Sequence, residues 1–155
     1  MSQDGVGIDL ETSLGYLLKE ASSALRAEME AVLRPLGMTV THYSCLELLA
    51  QRPGLSNSEL ARGAFVTRQS MNVLLRTLER DGDVTRPAEA RVGKVLPTQL
   101  TPRGRRSLEL ATVAVRSVEF RMLSGLSQDE QSEARRVLQR MIRSLREHGE
   151  AASGR

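Results

Sequence analysis

The chain has no tryptophan, and its aromatic side chains are limited to two tyrosines and two phenylalanines. Strands draw on aromatic and β-branched residues, so this scarcity argues against a sandwich or barrel and for a helical core of Leu, Val, Ala and Met. A single cysteine, Cys45, excludes an intrachain disulfide and any cysteine-based zinc cluster. His42 and His148 are the two histidines; no glycine-rich phosphate loop follows a strand pattern, and no metal-ligand spacing occurs. An enzyme is therefore not expected, nor a metal or cofactor. No apolar run approaches the roughly 18 residues that a membrane span requires. Residues 1–9 lack a basic stretch ahead of an apolar one, so the expected location is the cytoplasm, without a membrane partner.

What is present fits one domain spanning residues 1–155, with 40% hydrophobic and 26% charged residues. The formal net charge is only +3, but it is unevenly placed. Between Ser56 and Arg106 ten basic residues face five acidic ones, so this stretch carries +5 and the other 104 residues about −2. A basic middle within a faintly acidic remainder suits a polyanion-binding surface.

Apolar periodicity and turn chemistry divide the chain. A long first helix is expected from Leu10 to Leu33, its face formed by Leu14, Leu17, Leu18, Ala21, Leu25 and Val32, ending at Arg34-Pro35-Leu36-Gly37. Thr39 caps a second helix, with Tyr43, Cys45, Leu46, Leu48, Leu49 and Ala50 as burial candidates before Arg52-Pro53-Gly54. Ser56-Asn57-Ser58-Glu59 is a capping box that opens a short third helix to about Gly63. Thr67 caps a fourth helix, apolar at Met71, Leu74, Leu75 and Leu78 and closed at Arg80-Asp81-Gly82. Val84 to Arg86 and Val92 to Leu100 then read as a two-stranded hairpin with a basic tip, too small to stand alone. Thr101-Pro102 opens a long helix to about Ser124. A second capping box, Ser127 to Glu130, starts another with Ala134, Val137, Leu138, Met141, Ile142 and Leu145 at i, i+3, i+4 spacing. Gly149 to Arg155 reads as a tail without structure.

The short helix, turn and longer helix between Ser56 and Asp81 have the layout of a helix-turn-helix. Leu60, Ala64, Val66, Met71 and Leu74 are apolar where the two helices must meet, and Ala61 is small where they cross. Arg68, Gln69, Ser70 and Asn72 remain outward at the start of the second helix. There Arg can pair with guanine, and Asn or Gln with adenine, in a major groove. With the cap Thr67, with Arg76 further along, and with Arg86, Arg91 and Lys94 on the hairpin, they form the expected DNA-binding set. The rival reading is a helical dimerisation or adaptor protein without DNA contact, which would need neither the polar set nor the basic hairpin.

In this order of elements the sequence resembles the MarR family of winged helix-turn-helix regulators over Leu14 to Leu145. The most specific landmarks are Ser58-Glu59-Leu60-Ala61, Leu78-Glu79-Arg80-Asp81-Gly82 and Leu100-Thr101-Pro102-Arg103-Gly104. The resemblance implies a mainly α fold with a small two-stranded wing. Dimerisation helices would lie in 10–36 and 102–148, and a winged DNA-binding region in 39–101. It implies a homodimeric DNA-binding repressor on a pseudo-palindromic duplex, with the wing in the minor groove. The family's wing carries Asp-x-Arg where this chain has Val92-Gly93-Lys94, so the wing-tip role passes to Lys94 and Arg91, with Glu89 and Arg91 as a shifted version of the pair. A small aromatic or phenolic ligand is a further implication, with Tyr16, His42 and Tyr43 as candidate lining. Cys45, among Leu46, Leu48 and Leu49 without an evident cationic neighbour, reads as a buried thiol rather than a redox sensor.

Overall fold

Among the described residues, six α-helices each begin on a serine or threonine, because a hydroxyl at the cap accepts a hydrogen bond from one of the free amides of the first turn. The computed structural model describes residues 7–86 and 97–153. Helix α1 (Leu14–Leu33) starts where Ser13 Oγ accepts from the Tyr16 amide. Apolar spacing alone places this start at Leu10, but Asp9 takes hydrogen bonds from the Glu11 amide and the Thr12 hydroxyl and holds residues 10–12 in a turn. Local side-chain bonding to the backbone wins there over apolar spacing. A single 3-10 turn at Arg34–Leu36 follows, closed by Gly37 at φ +69°.

Helix α2 (Val40–Gln51) is capped by Thr39, α3 (Asn57–Gly63) by the reciprocal Ser56 and Glu59 bonds, and α4 (Arg68–Arg80) by Thr67. Strand β1 (Val84–Thr85) pairs antiparallel with β2 (Gln99–Leu100), Val84 opposite Leu100. The second strand is expected from Val92; residues 92–96 of it lie outside the described residues. Helix α5 (Pro102–Leu123) and helix α6 (Gln128–Ser153) complete the order. Thr101 Oγ1 accepts from the Gly104 amide, and Ser127 and Glu130 form the second capping box. Helix α6 continues through Gly149 to Ser153, where the sequence pattern implies a structureless tail. Glu150, Ala151 and Ala152 are good helix formers, and they offset the cost of the glycine.

The chain forms two compact units, one ending at Val118 and one from Glu119 onward. In the first unit the core is a single cluster contributed by α1 to α5 and by β1: Leu33, Cys45, Leu46, Leu60, Met71, Leu75, Leu78, Val84 and Ala111 lie at its centre. Gly104 is where α5 meets the root of the wing, because a Cβ there would stand 2.0 Å from the Asp83 carbonyl oxygen. In the second unit α6 is amphipathic, with Leu138, Ile142 and Leu145 exposed along one stripe.

Candidate nucleic-acid interface and ligand cavity

Helices α3 and α4 are held together by Leu60, Ala61, Met71 and Leu75, all buried, so the remaining face of α4 is fixed in position. Thr67, Arg68, Gln69, Ser70 and Arg76 stand exposed or half-exposed on that face. No acidic residue occurs in the first turn of α4, so the positive end of the helix dipole and the Arg68 charge add. Thr67 Oγ1 accepts from the Ser70 amide at 3.1 Å and lies 3.0 Å from Ser70 Oγ, which ties the two hydroxyls to the cap. Asn72 departs from the outward placement expected of it. It is half-buried, and its side-chain oxygen accepts from Asn57 Nδ2 at 2.7 Å, so it clamps α3 to α4. Arg86 is half-buried at the end of β1; Arg91 and Lys94 lie outside the described residues.

Sequence reasoning missed Phe65. In the turn before α4 it takes φ +59°, a left-handed conformation that costs a bulky L-residue roughly 1–2 kcal/mol, and its ring is 90% exposed. An exposed ring beside the cationic turn extends the polar face with an apolar edge. Its neighbours Ala64 and Val66 are both apolar, so no alternation marks the exposure of the residue between them.

Of the three ligand candidates, His42, at the start of α2, lines a cavity of about 190 Å³ at the root of the wing, together with Asp83, Asp81 and Arg103. Tyr16 is exposed on α1, and Tyr43 packs half-buried against the core; neither is part of this wall. Asp83 and Arg103 are not expected from the sequence, since an aspartate beside a turn glycine reads as a surface residue. The Asp83 side chain is 7% exposed, with Oδ2 3.8 Å from His42 Nε2 and Oδ1 3.5 Å from Arg103 Nε. Neither distance makes a hydrogen bond, and both His42 Nε2 and Asp83 Oδ1 are buried without one.

Burial holds the His42 imidazole below its ordinary value, against the opposing pull of Asp83 and then Asp81. The folded chain therefore binds this proton less readily than the unfolded chain. The stability tied to neutral His42 is present above the unfolded value of about 6.5 and is lost as the pH falls from there toward the folded value. Thermal unfolding followed from pH 7.5 to 5 should show a fall that is smaller in His42→Gln; equal slopes would contradict the burial of this ring.

Burial alone pushes the Cys45 thiol up to about 12, and the side chain is fully enclosed. A thiol so placed forms almost no thiolate at neutral pH and is a poor nucleophile. Folded protein at pH 8 is expected to resist iodoacetamide and to take up one equivalent in denaturant, as mass spectrometry would record. Labelling of the folded chain at the same rate would contradict the assignment as a core residue.

A profile of the MarR family matches residues 36–94. The chain is 44% identical over 136 residues to the HTH-type transcriptional repressor Rv2887 of Mycobacterium tuberculosis, covering 88% of this chain and 98% of the relative. The chain belongs to the MarR family. Solved structures of Rv2887 agree with this membership. Its complex with salicylic acid superposes with a TM-score of 0.71 at 45% identity, over 84% of this chain and 96% of that one. Its complex with DNA gives 0.70 at 44% identity, over 84% and 98%. MarR proteins are transcriptional regulators with a winged helix, not an enzyme family, and the two short antiparallel strands here are the base of that wing. Among the described residues no three His, Cys, Asp or Glu side chains are grouped to hold a metal ion, and no helix is long and apolar enough to cross a membrane.

Proposed function

We propose that this MarR protein is a sequence-specific DNA-binding repressor that acts as a homodimer in the cytoplasm, has no enzymatic activity and is released from DNA by a small phenolic ligand. The single observation that carries the reading is the 44% identity to a named repressor across nearly its whole length, in a chain whose α4 presents an exposed cationic face. DNA recognition falls to Arg68 and Gln69 at base edges, to Thr67, Ser70 and Arg76 at phosphates, and to Arg86, Arg91 and Lys94 through the wing. Asn72 contributes through its remaining amide hydrogens or by positioning α3. Residues 39–101 form the DNA-binding region. The helices within 10–36 and 102–148 form the dimer, for which the exposed Leu14, Leu17 and Leu18 of α1 and the apolar stripe of α6 supply surface. One helix-turn-helix per chain and a two-fold axis set the half-sites about one helical turn, roughly 10 base pairs, apart.

Support for a ligand comes from the salicylate complex of Rv2887 and from the cavity at His42. Tyr16 and Tyr43 remain candidates for a lining completed by a second chain. The test is selection of bound duplexes from a random pool, followed by sedimentation and gel-shift titration of the selected site. A pseudo-palindrome bound by two chains is the expected result. A dimer that selects no sequence would replace the repressor with the adaptor reading.

A further inference from the structure

Among the described residues of α4 that stand exposed, Val73 is the apolar one. It is 58% exposed, while Met71 and Leu75 are fully buried and Leu74 packs against the core. A lone exposed valine is ordinary on a protein surface, but this one lies within a cationic face. At about 100° per residue, Gln69, Val73, Arg76 and Arg80 fall within about 60° of one another, on the far side of the helix from Met71 and Leu78. The isopropyl group therefore sits between Gln69, one turn before it, and Arg76, nearly one turn after it. A valine in a helix keeps essentially one side-chain rotamer, so this apolar surface is fixed in advance and loses little freedom on contact. Thr77 donates its hydroxyl to the Val73 carbonyl at 3.2 Å, so the donor beside the isopropyl group is already used within the helix.

We propose that Val73 is a specificity-determining residue that reads the C5 methyl group of a thymine in the major groove. The donors and acceptors on the base edges of that groove suit Arg and Gln, and the thymine methyl is its apolar group. Bringing the isopropyl group against this methyl removes both from water, whereas a cytosine at the same place offers an amino donor and no methyl. A helical rise of about 1.5 Å per residue puts Val73 about 6 Å along the axis from Gln69, roughly two base-pair steps. The preferred thymine is therefore expected within about two base pairs of the base that Gln69 contacts. Val73 thus adds a base preference to a face whose charge alone would favour any duplex. The assignment rests on the repressor reading, with α4 as the element in the groove.

Gel-shift titration of the full chain against the duplex selected from a random pool tests the assignment, with thymines replaced singly by deoxyuridine. This replacement deletes the methyl and leaves base pairing and the O4 acceptor intact. At one thymine in each half-site it should weaken wild-type binding about fourfold, the effect of returning one apolar carbon to water, and about fifteenfold when made in both half-sites. Val73→Ala withdraws the isopropyl group from an exposed position and favours the helix, so the variant should fold as stably as the wild type. It should weaken the thymine duplex by a similar factor, and the deoxyuridine effect should then shrink to less than about twofold, because the two changes remove the same contact. Arg80→Ala, on the same face, should leave the fourfold ratio unchanged whatever it does to affinity. Wild-type binding indifferent to deoxyuridine at every thymine, or a loss that persists in full in Val73→Ala, would overturn the proposal and leave the repressor reading in place. A chain that selects no sequence would overturn both, so the two failures are distinguishable.

Discussion

Gly104→Ala is expected to cost about 3 kcal/mol or more of folding stability and to abolish DNA binding. The added methyl would stand 2.0 Å from the Asp83 carbonyl oxygen, 3.0 Å from its carbon and 3.3 Å from its Cα. These are backbone atoms, so no side-chain rotation relieves the clash, and the general range for overpacking is a lower bound at this position. Either α5 withdraws from the wing root or Asp83 moves. In both cases the Thr101 amide to Asp83 bond and the 2.6 Å bond from the Thr101 hydroxyl to the Gly82 carbonyl are lost. Urea denaturation followed by circular dichroism measures the effect. Gly125→Ala is the control, because nothing lies within 4 Å of a Cβ at that glycine, and a similar loss in both variants would show that the close approach at Gly104 is not the cause.

The second large effect concerns Arg68 and Gln69. Both are exposed on the first turn of α4, so alanine should change folding stability by less than about 0.5 kcal/mol. Each should remove about 1–3 kcal/mol of preference for the selected site, because a lost bidentate base contact costs that much. Binding to unrelated duplex should change far less. Lys94→Ala is expected to behave in the opposite way, weakening all sequences alike and flattening the salt dependence by about one unit of slope. Gel-shift titrations against selected and scrambled duplexes at several salt concentrations separate the two patterns. If Arg68→Ala lowered affinity for both duplexes equally while Lys94→Ala changed base preference, base readout would belong to the wing and phosphate anchoring to α4.

Local signals carried the element order. Thr39, Ser56, Thr67, Thr101 and Ser127 are hydroxyl caps legible without a fold, since a cap bonds amides two or three residues away. Proline and glycine at Arg34 to Gly37 and glycine at Gly82 mark stops for the same reason. The polar set Thr67, Arg68, Gln69, Ser70 and Arg76 was legible because helical spacing separates it from Met71, Leu75 and Leu78 within one element. The four-residue error at the start of α1 has the same origin in reverse. Leu10 fits the apolar pattern, but a competing local bond to Asp9 decides the backbone.

The amino-acid sequence by itself determined the helical class, the caps, the charged middle of the chain and the polar face of α4, all set by interactions within a few residues. Tertiary structure alone decided which polar residues point inward. Asn72 belongs by spacing to the outward face, yet Asn57, fifteen residues earlier, captures it across the α3 and α4 contact. Asp83 follows a turn glycine and reads as solvent-facing, but the arrival of Thr101, Gly104 and Arg103 from α5 and its cap, together with His42 from α2, encloses it. Phe65 is apolar and adjacent to the core helices, yet the turn that joins them rotates its ring into solvent. In each case the deciding contact or backbone rotation depends on how two helices are packed, and the free energy of a buried polar group depends on partners that sequence spacing does not specify.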